Sequence, residues 1–149
     1  VSQKINLTCT VILLSHNRPQ NIQIIIQSAL ANKFISRIIV SNSNKAIKIS
    51  EWVRLHDERL FLIDELKSTQ PGHRFELALN QSDNHFMAVD DDIFLTPHQW
   101  SDFFEALLSN EKVPHGITGN IFMSGTISSN GSPFHHITEA DSEVDVLIG

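Results

Sequence analysis

The stretch HFMAVDDDIFL, His85 to Leu95, sets three adjacent carboxylates, Asp90, Asp91 and Asp92, between two apolar runs. Along an extended chain Asp90 and Asp92 project to the same side, roughly 6–7 Å apart. At an effective dielectric of about 20, two unit charges at that spacing repel by roughly 2.5 kcal/mol. Something must offset that cost, and a divalent cation is the leading candidate. An acid beside Thr96 and Pro97 could help to start a helix, but turn chemistry seldom calls for three acids flanked by Val89 and Ile93. The pattern fits a hard-metal site for Mg2+ or Mn2+, in which one or two carboxylates share the ion with substrate phosphates. An EF-hand does not fit, because neither the glycine nor the closing glutamate stands at the required spacing.

The first apolar run narrows the phosphate ligand. A P-loop needs G-x-x-x-x-G-K-[ST] and a dinucleotide fold needs G-x-G-x-x-G, whereas LLSHNRPQN contains no glycine. The same absence disfavours nucleotidyltransferases that wrap a triphosphate in a glycine-rich first loop. Phosphatases with a nucleophilic aspartate on strand one are disfavoured because this strand ends in Ser15.

The elements that must position these residues follow from periodicity. Thr10 to Leu14 is β-favouring and apolar on both faces, as in a central parallel strand. Pro19 suits the first position of a helix, and Ile22, Ile25, Ile26, Ala29 and Leu30 continue it at helical spacing. SRIIVSNSN reads as a second strand running into a polar loop at Asn42, Ser43 and Asn44. Ile47 to His56 reads as a short helix, RLFLID as a third strand, and Gly72 to Leu79 as a helix after the TQPG punctuation. HFMAV is a fourth strand that delivers the aspartates at its C-terminal end. TPHQWSDFFEALLSN is a helix capped by Thr96, with Pro97 first and Gln99 closing a capping box. Trp100, Phe103, Phe104, Leu107 and Leu108 form its buried stripe. GITGNIF and EVDVLIG are later strands, and the Gly/Ser-rich segment between them, with His135 and His136, reads as a long loop.

Strands alternate with helices, so the expected class is α/β, Rossmann-like, with a mostly parallel sheet flanked by helices. Ligands of such sheets bind beyond the C-terminal strand ends. SHNR, NSN and DDD all sit at such ends and should converge on one edge.

Composition bounds the rest. A chain of 149 residues with 41% hydrophobic content is most simply one soluble domain. The expected organisation is a single domain over 1–149, C-terminally truncated, because SEVDVLIG stops on a strand in progress. A net charge of −6 with scattered Lys and Arg argues against a nucleic-acid binder that works through a basic face. The one cysteine, Cys9, lies in an apolar run, which excludes an intramolecular disulfide and a zinc–cysteine cluster within one chain. No apolar stretch approaches the roughly 20 residues of a membrane span. That fits a cytoplasmic protein, and equally a lumenal catalytic piece whose targeting segment has been removed.

TVILLSHNRPQNIQIIIQSAL, IIVSNSN and FMAVDDDIFL, in that order, resemble the nucleotide-sugar half of GT-A glycosyltransferases, most nearly the exostosin-like and family-two-like members. The likeness covers roughly Thr10 to Asp102, with a weaker echo at EVDVLIG. D-x-D alone is a weak signal, and D-x-D with the first-strand turn in the right order is a stronger one. The resemblance implies that Ser15, His16, Asn17 and Arg18 border the nucleoside, with Arg18 near base or phosphate. Asn42 and Ser43 would touch the base, although many relatives carry an aspartate in that loop where this chain has NSN. Arg74 would face the nucleotide or pyrophosphate, Asp90 and Asp91 would approach the ribose and donor sugar, and Asp92 would bind Mn2+ or Mg2+.

An inverting transfer also needs a general base, for which a carboxylate is the usual choice. Asp145 is the candidate among the acids that follow the Gly/Ser-rich segment. The expected activity is metal-dependent transfer of a hexosyl or N-acetylhexosaminyl unit from a UDP-sugar to a glycan or other hydroxyl acceptor. The rivals are a nucleotide-sugar-binding module without turnover and another metal-dependent phosphoester enzyme.

Overall fold

A computed structural model describes residues 7–122, 134–137 and 146–148. The chain divides into two compact units, 1–101 and 102–149.

In the first unit, β1 (Cys9–Ser15) lies between β2 (Ile35–Asn42) and β4 (His85–Asp90), and β3 (Leu60–Asp64) edges the sheet beyond β2. All three pairings are parallel. Val11, Ile12 and Leu13 are successive residues and all are buried, so both faces of β1 are covered, as the unbroken apolar run required. The edge strands are wetter. Phe61 on β3 is 42% exposed and carries the Arg37 guanidinium 4.6 Å above its ring centroid.

Helix α1 (Pro19–Leu30) starts on its proline and buries Ile22, Ile25, Ile26 and Ala29, each isoleucine worth roughly 1.5–3 kcal/mol of burial. The last turn of α1 has no basic residue of its own. Arg59 supplies the missing cation from a distance: it donates to Leu30 O at 3.0 Å and Ile35 O at 3.2 Å while Asp57 grips it. Helix α2 (His73–Leu79) buries no residue fully, and its Phe75 ring meets Phe86 edge-on at 6.1 Å.

Helix α3 (Pro97–Ser109) begins in the first unit and ends in the second. Its capping box forms: Gln99 N–H donates to Thr96 Oγ1 at 3.2 Å, and Thr96 N–H donates to Gln99 Oε1 at 2.9 Å. Of its expected stripe, Trp100 and Phe104 are fully buried, while Phe103, Leu107 and Leu108 are only partly covered.

Two expected elements differ. Ile47 to His56 is not a helix but a single 3-10 turn over Ile49–Glu51. Three β-branched residues, Ile47, Ile49 and Val53, weaken helix propensity there, and Asp64 Oδ1 takes the Ile49 N–H at 2.9 Å, pinning the turn to the end of β3. The second unit holds a separate antiparallel sheet in the order β6-β5-β7, built from β5 (Thr118–Phe122), β6 (Phe134–Ile137) and β7 (Val146–Ile148). The histidine pair read as loop therefore lies in a strand, with His136 opposite Asn120 and His135 opposite Ile121. The Gly/Ser content of the surrounding segment masked a four-residue strand. Among the described residues no helix is long and apolar enough to cross a membrane.

At the N-terminal edge of the parallel sheet, Asp83 Oδ2 accepts from Thr10 Oγ1 and Ser36 Oγ, both at 2.5 Å. Burial by itself pushes this carboxyl up, but the Ser36, Thr10 and Thr8 hydrogen bonds and the Arg37 charge outweigh it and hold it below 3.8. Burial, then the Asp83 charge, pushes the Cys9 thiol up to about 12, so it is an inert core residue. A depressed carboxyl stabilises the fold fully above its unfolded value and loses that contribution as pH falls through the lower folded value. Urea unfolding below pH 4 should accordingly show a steep acid loss in the parent chain, and a shallower one in Asp83→Asn.

Candidate functional site

The register of the parallel sheet aligns its C-terminal ends. Ser15 pairs with Asn42, Asn42 with Asp64, and Leu14 with Asp90. The chain leaves β1 to one side for β2 and β3, then crosses to the other side for β4. That reversal opens a crevice beyond the β1 and β4 ends, the position where open parallel sheets bind ligands. A cleft of about 380 Å³ lies at these ends, lined among others by Ser15, His16, Arg18, Ser43, Arg74 and all three aspartates. Ligand pockets of small molecules span about 300–1,000 Å³.

The three aspartates differ in their surroundings. β4 stops at Asp90, and Ile93 N–H donates to Asp90 O at 3.1 Å, so Asp91 and Asp92 lie in a turn. The two-residue alternation assumed for Asp90 and Asp92 does not carry through it. Asp90 Oδ1 accepts from Arg74 Nη2 at 2.6 Å. Asp91 is 8% exposed and faces the turn between β1 and α1. Its Oδ2 accepts from His16 N–H at 3.1 Å and Arg18 N–H at 3.3 Å, and its Oδ1 from Arg18 Nη1 at 3.1 Å. Its backbone oxygen also takes Asn21 Nδ2 at 2.9 Å. The Asp91 carboxylate thus holds the SHNR turn. Asp92 is exposed, and Arg18 Nη1 stands 3.1 Å from its Oδ2. The repulsion that the sequence assigned to a cation is met here by two guanidinium groups.

His16 and Ser43 close the cleft between the β1 and β2 ends, with His16 Nδ1 2.9 Å from Ser43 Oγ. Ser43 N–H donates to Ser15 O at 3.0 Å, and Asn44 Nδ2 to His16 O at 2.9 Å. Ser15 Oγ is buried without a hydrogen-bond partner among the described residues. Asn42, the expected base contact, is hydrogen-bonded within the protein. It is 2% exposed, its Nδ2 donates to Ile47 O and Asp64 Oδ1 at 2.8 Å, and its Oδ1 accepts Asn44 N–H, so it braces the loop. Asn17 is exposed and does not line the cleft. Asp145 lies outside the described residues.

Sequence reading missed Ser41 and the segment Ser68, Thr69, Gln70 and Pro71, which also line the cleft. A usable signal was present: the segment joins β3 to α2, and every strand-to-helix loop of a parallel sheet emerges on the ligand edge. The same loop is tied to the sheet by a side-chain chain. Ser41 Oγ donates to Glu65 Oε1 at 2.7 Å, His73 Nε2 meets that oxygen at 3.0 Å, and His73 Nδ1 meets Glu76 Oε2 at 2.8 Å. The Glu76 hydrogen bond, assisted by Glu65, outweighs the imidazole's partial burial and holds His73 above 6.5. The next residue is Arg74, whose Nε also donates to Pro71 O at 3.0 Å.

Three carboxylates and two guanidinium groups leave the cleft with one net negative charge. Among the described residues no trio of His, Cys, Asp or Glu is arranged to hold a metal by itself. The donors present are hard carboxylate oxygens, and that set fits Mg2+ or Mn2+ shared with a ligand's phosphates better than a closed all-protein cage.

No protein-family model matches the chain, and no curated protein matches it. Among solved structures it is similar to a CMP:2-keto-3-deoxy-manno-octonic acid synthetase complexed with CTP, at TM-score 0.57 and 8% identity, over 78% of this chain and 54% of that one. It is also similar to the 1–349 piece of S. aureus TarS, at TM-score 0.51 and 14% identity, over 76% of this chain and 41% of that one. The chain thus spans about half the length, or less, of the structures it matches. At these identities the likeness establishes the fold, an α/β Rossmann-like sheet.

Proposed function

We propose that the chain is the donor-binding unit of a metal-dependent glycosyltransferase that takes a nucleoside-diphosphate sugar, a UDP-sugar, and passes the sugar to a glycan or another hydroxyl acceptor. The observation that carries this reading is the convergence of the β1, β2 and β4 ends, with the segment between β3 and α2, on one cleft holding both arginines and the three aspartates. The likeness to a synthetase solved with CTP supports a nucleotide at this edge.

In this reading His16, Ser43 and the buried Ser15 hydroxyl face the nucleoside, while Arg18 and Arg74 face the diphosphate, to which a guanidinium donates bidentately. Asp92, the most exposed of the three acids, would hold Mn2+ or Mg2+. When bound, the ion supplies Lewis-acid stabilisation of the negative charge that gathers on the departing diphosphate. A diphosphate entering a cleft with a net negative charge is repelled, which is the electrostatic reason for a cation.

Calorimetry with UDP, with and without Mn2+, tests the proposal. Metal-dependent binding of UDP is expected, and its absence would overturn the reading. A binding module without turnover is favoured by one observation: each cleft aspartate is engaged by an arginine, so none stands free to take a proton from an acceptor hydroxyl. Release of UDP from a UDP-sugar, lost on changing Asp92, would decide for the enzyme.

A further inference from the structure

Arg18 stands on the carboxylate that a metal would need, and Arg74 holds the acid two residues before it. Arg18 Nη1 bridges Asp91 and Asp92 at 3.1 Å each, and Arg74 Nη2 holds Asp90 at 2.6 Å. An ion binding Asp92 Oδ2 meets a guanidinium that is already there. Phosphate oxygens offer a guanidinium a bidentate partner as good as the carboxylate it gives up.

We infer that the cleft works by partner exchange, in which a diphosphate draws Arg18 and Arg74 away from the aspartates and thereby hands Asp92 to the divalent cation. This rests on the reading of the cleft as a site for a nucleoside-diphosphate sugar.

The burial pattern says which pairs exchange. The Arg18 and Asp92 side chains are 50% and 49% exposed, so their pair is a surface ion pair of small net worth. The Asp91 side chain is 10% exposed and also holds the His16 and Arg18 N–H groups, so it stays in place as the anchor of the turn. Arg74 is held by Pro71 O at 3.0 Å besides its aspartate, so it can turn toward a phosphate without leaving the cleft. The Ser15 hydroxyl, buried in the same lining without a partner among the described residues, is an independent sign that a polar ligand completes this cleft.

Binding coupled in this way is reciprocal: UDP raises the affinity for the ion by the factor by which the ion raises that for UDP. Direct contact between ion and phosphate gives such coupling too, so the arginines must be tested separately.

The experiment titrates Mn2+ into the folded chain alone and with saturating UDP, following the paramagnetic signal of the free aquo ion. In the parent chain UDP should tighten Mn2+ by more than about ten-fold. Arg18→Gln should bind Mn2+ alone about three- to five-fold more tightly than the parent, the worth of an exposed ion pair. The same variant should bind UDP about ten-fold more weakly, the worth of a charge-assisted hydrogen bond. Arg74→Gln, which leaves the Asp91 anchor intact, should move both affinities in the same directions. Arg54→Gln removes the same charge at a separate cavity lined by Gln23, Glu51 and Trp52, and should leave the affinity for Mn2+ unchanged.

If Arg18→Gln and Arg74→Gln bind Mn2+ alone no better than the parent while UDP with Mn2+ still binds, partner exchange is wrong and the donor reading stands. If all three arginine variants gain equally, the effect is one of net charge and partner exchange is again wrong. If the parent binds no UDP even with Mn2+, the donor reading fails and the exchange fails with it.

Discussion

Asp92→Asn is expected to abolish metal-dependent handling of UDP while leaving the fold intact. The change is nearly isosteric, and Asp92 is exposed, with one ion pair among the described residues, to a half-exposed arginine. Exposed pairs of this kind contribute about 0–1 kcal/mol, so the unfolding midpoint should barely move. The functional cost is of another order. A neutral amide cannot supply the anionic oxygen that holds a hard cation, and removing one preorganised source of transition-state charge stabilisation typically costs about 10²–10³ in rate. UDP release from a UDP-sugar should fall by at least that much, and Mn2+ should no longer strengthen UDP binding. An Asp92→Asn chain that keeps metal-dependent affinity and turnover would remove this residue from the metal role.

Asp91→Ala should do the reverse, damaging the fold first and the site as a consequence. The alanine leaves the His16 and Arg18 N–H groups without their acceptor in a part-buried turn. An unsatisfied buried donor costs about 1–3 kcal/mol, and the Arg18 guanidinium, half-exposed, can turn to water and adds little. A loss of about 2–4 kcal/mol is expected on that basis, read as a drop in urea midpoint with an unchanged slope. Asp91→Asn keeps one acceptor oxygen and should fall between the two. A loss below about 0.5 kcal/mol, the ordinary range of surface substitutions, would show that the turn is held by other contacts. The contrast between neighbours makes the pair informative: the acid one position along the chain should lose activity and keep stability.

What the sequence determined by itself is what rests on local physics. Pro19 starts α1, and Thr96 with Gln99 starts α3, because both devices act within one helical turn. The unbroken apolar run from Val11 to Leu13 specified a central parallel strand, because a strand buried on both faces can carry no polar alternation. The rule for parallel sheets then placed SHNR, NSN and the aspartates on one edge, and β1, β2 and β4 do end there together.

The tertiary structure alone decided the division of labour within that edge. Nothing in DDD distinguishes three identical side chains, yet one anchors a turn, one pairs with α2 and one lies open on an arginine. The partners that set them apart, Arg18 and Arg74, are 73 and 16 residues away from Asp91 and Asp90 in sequence. For the same reason Asn42 was legible as polar and near the site but not as a brace, since its role depends on Asp64 and Ile47 meeting it across the loop. Long-range pairing likewise made a strand of Phe134–Ile137, which pairs with β5. Periodicity reports which face of an element is buried. The charge balance of a cleft is set by which distant side chains fold to within about 3 Å of one another, a distance at which a hydrogen bond forms.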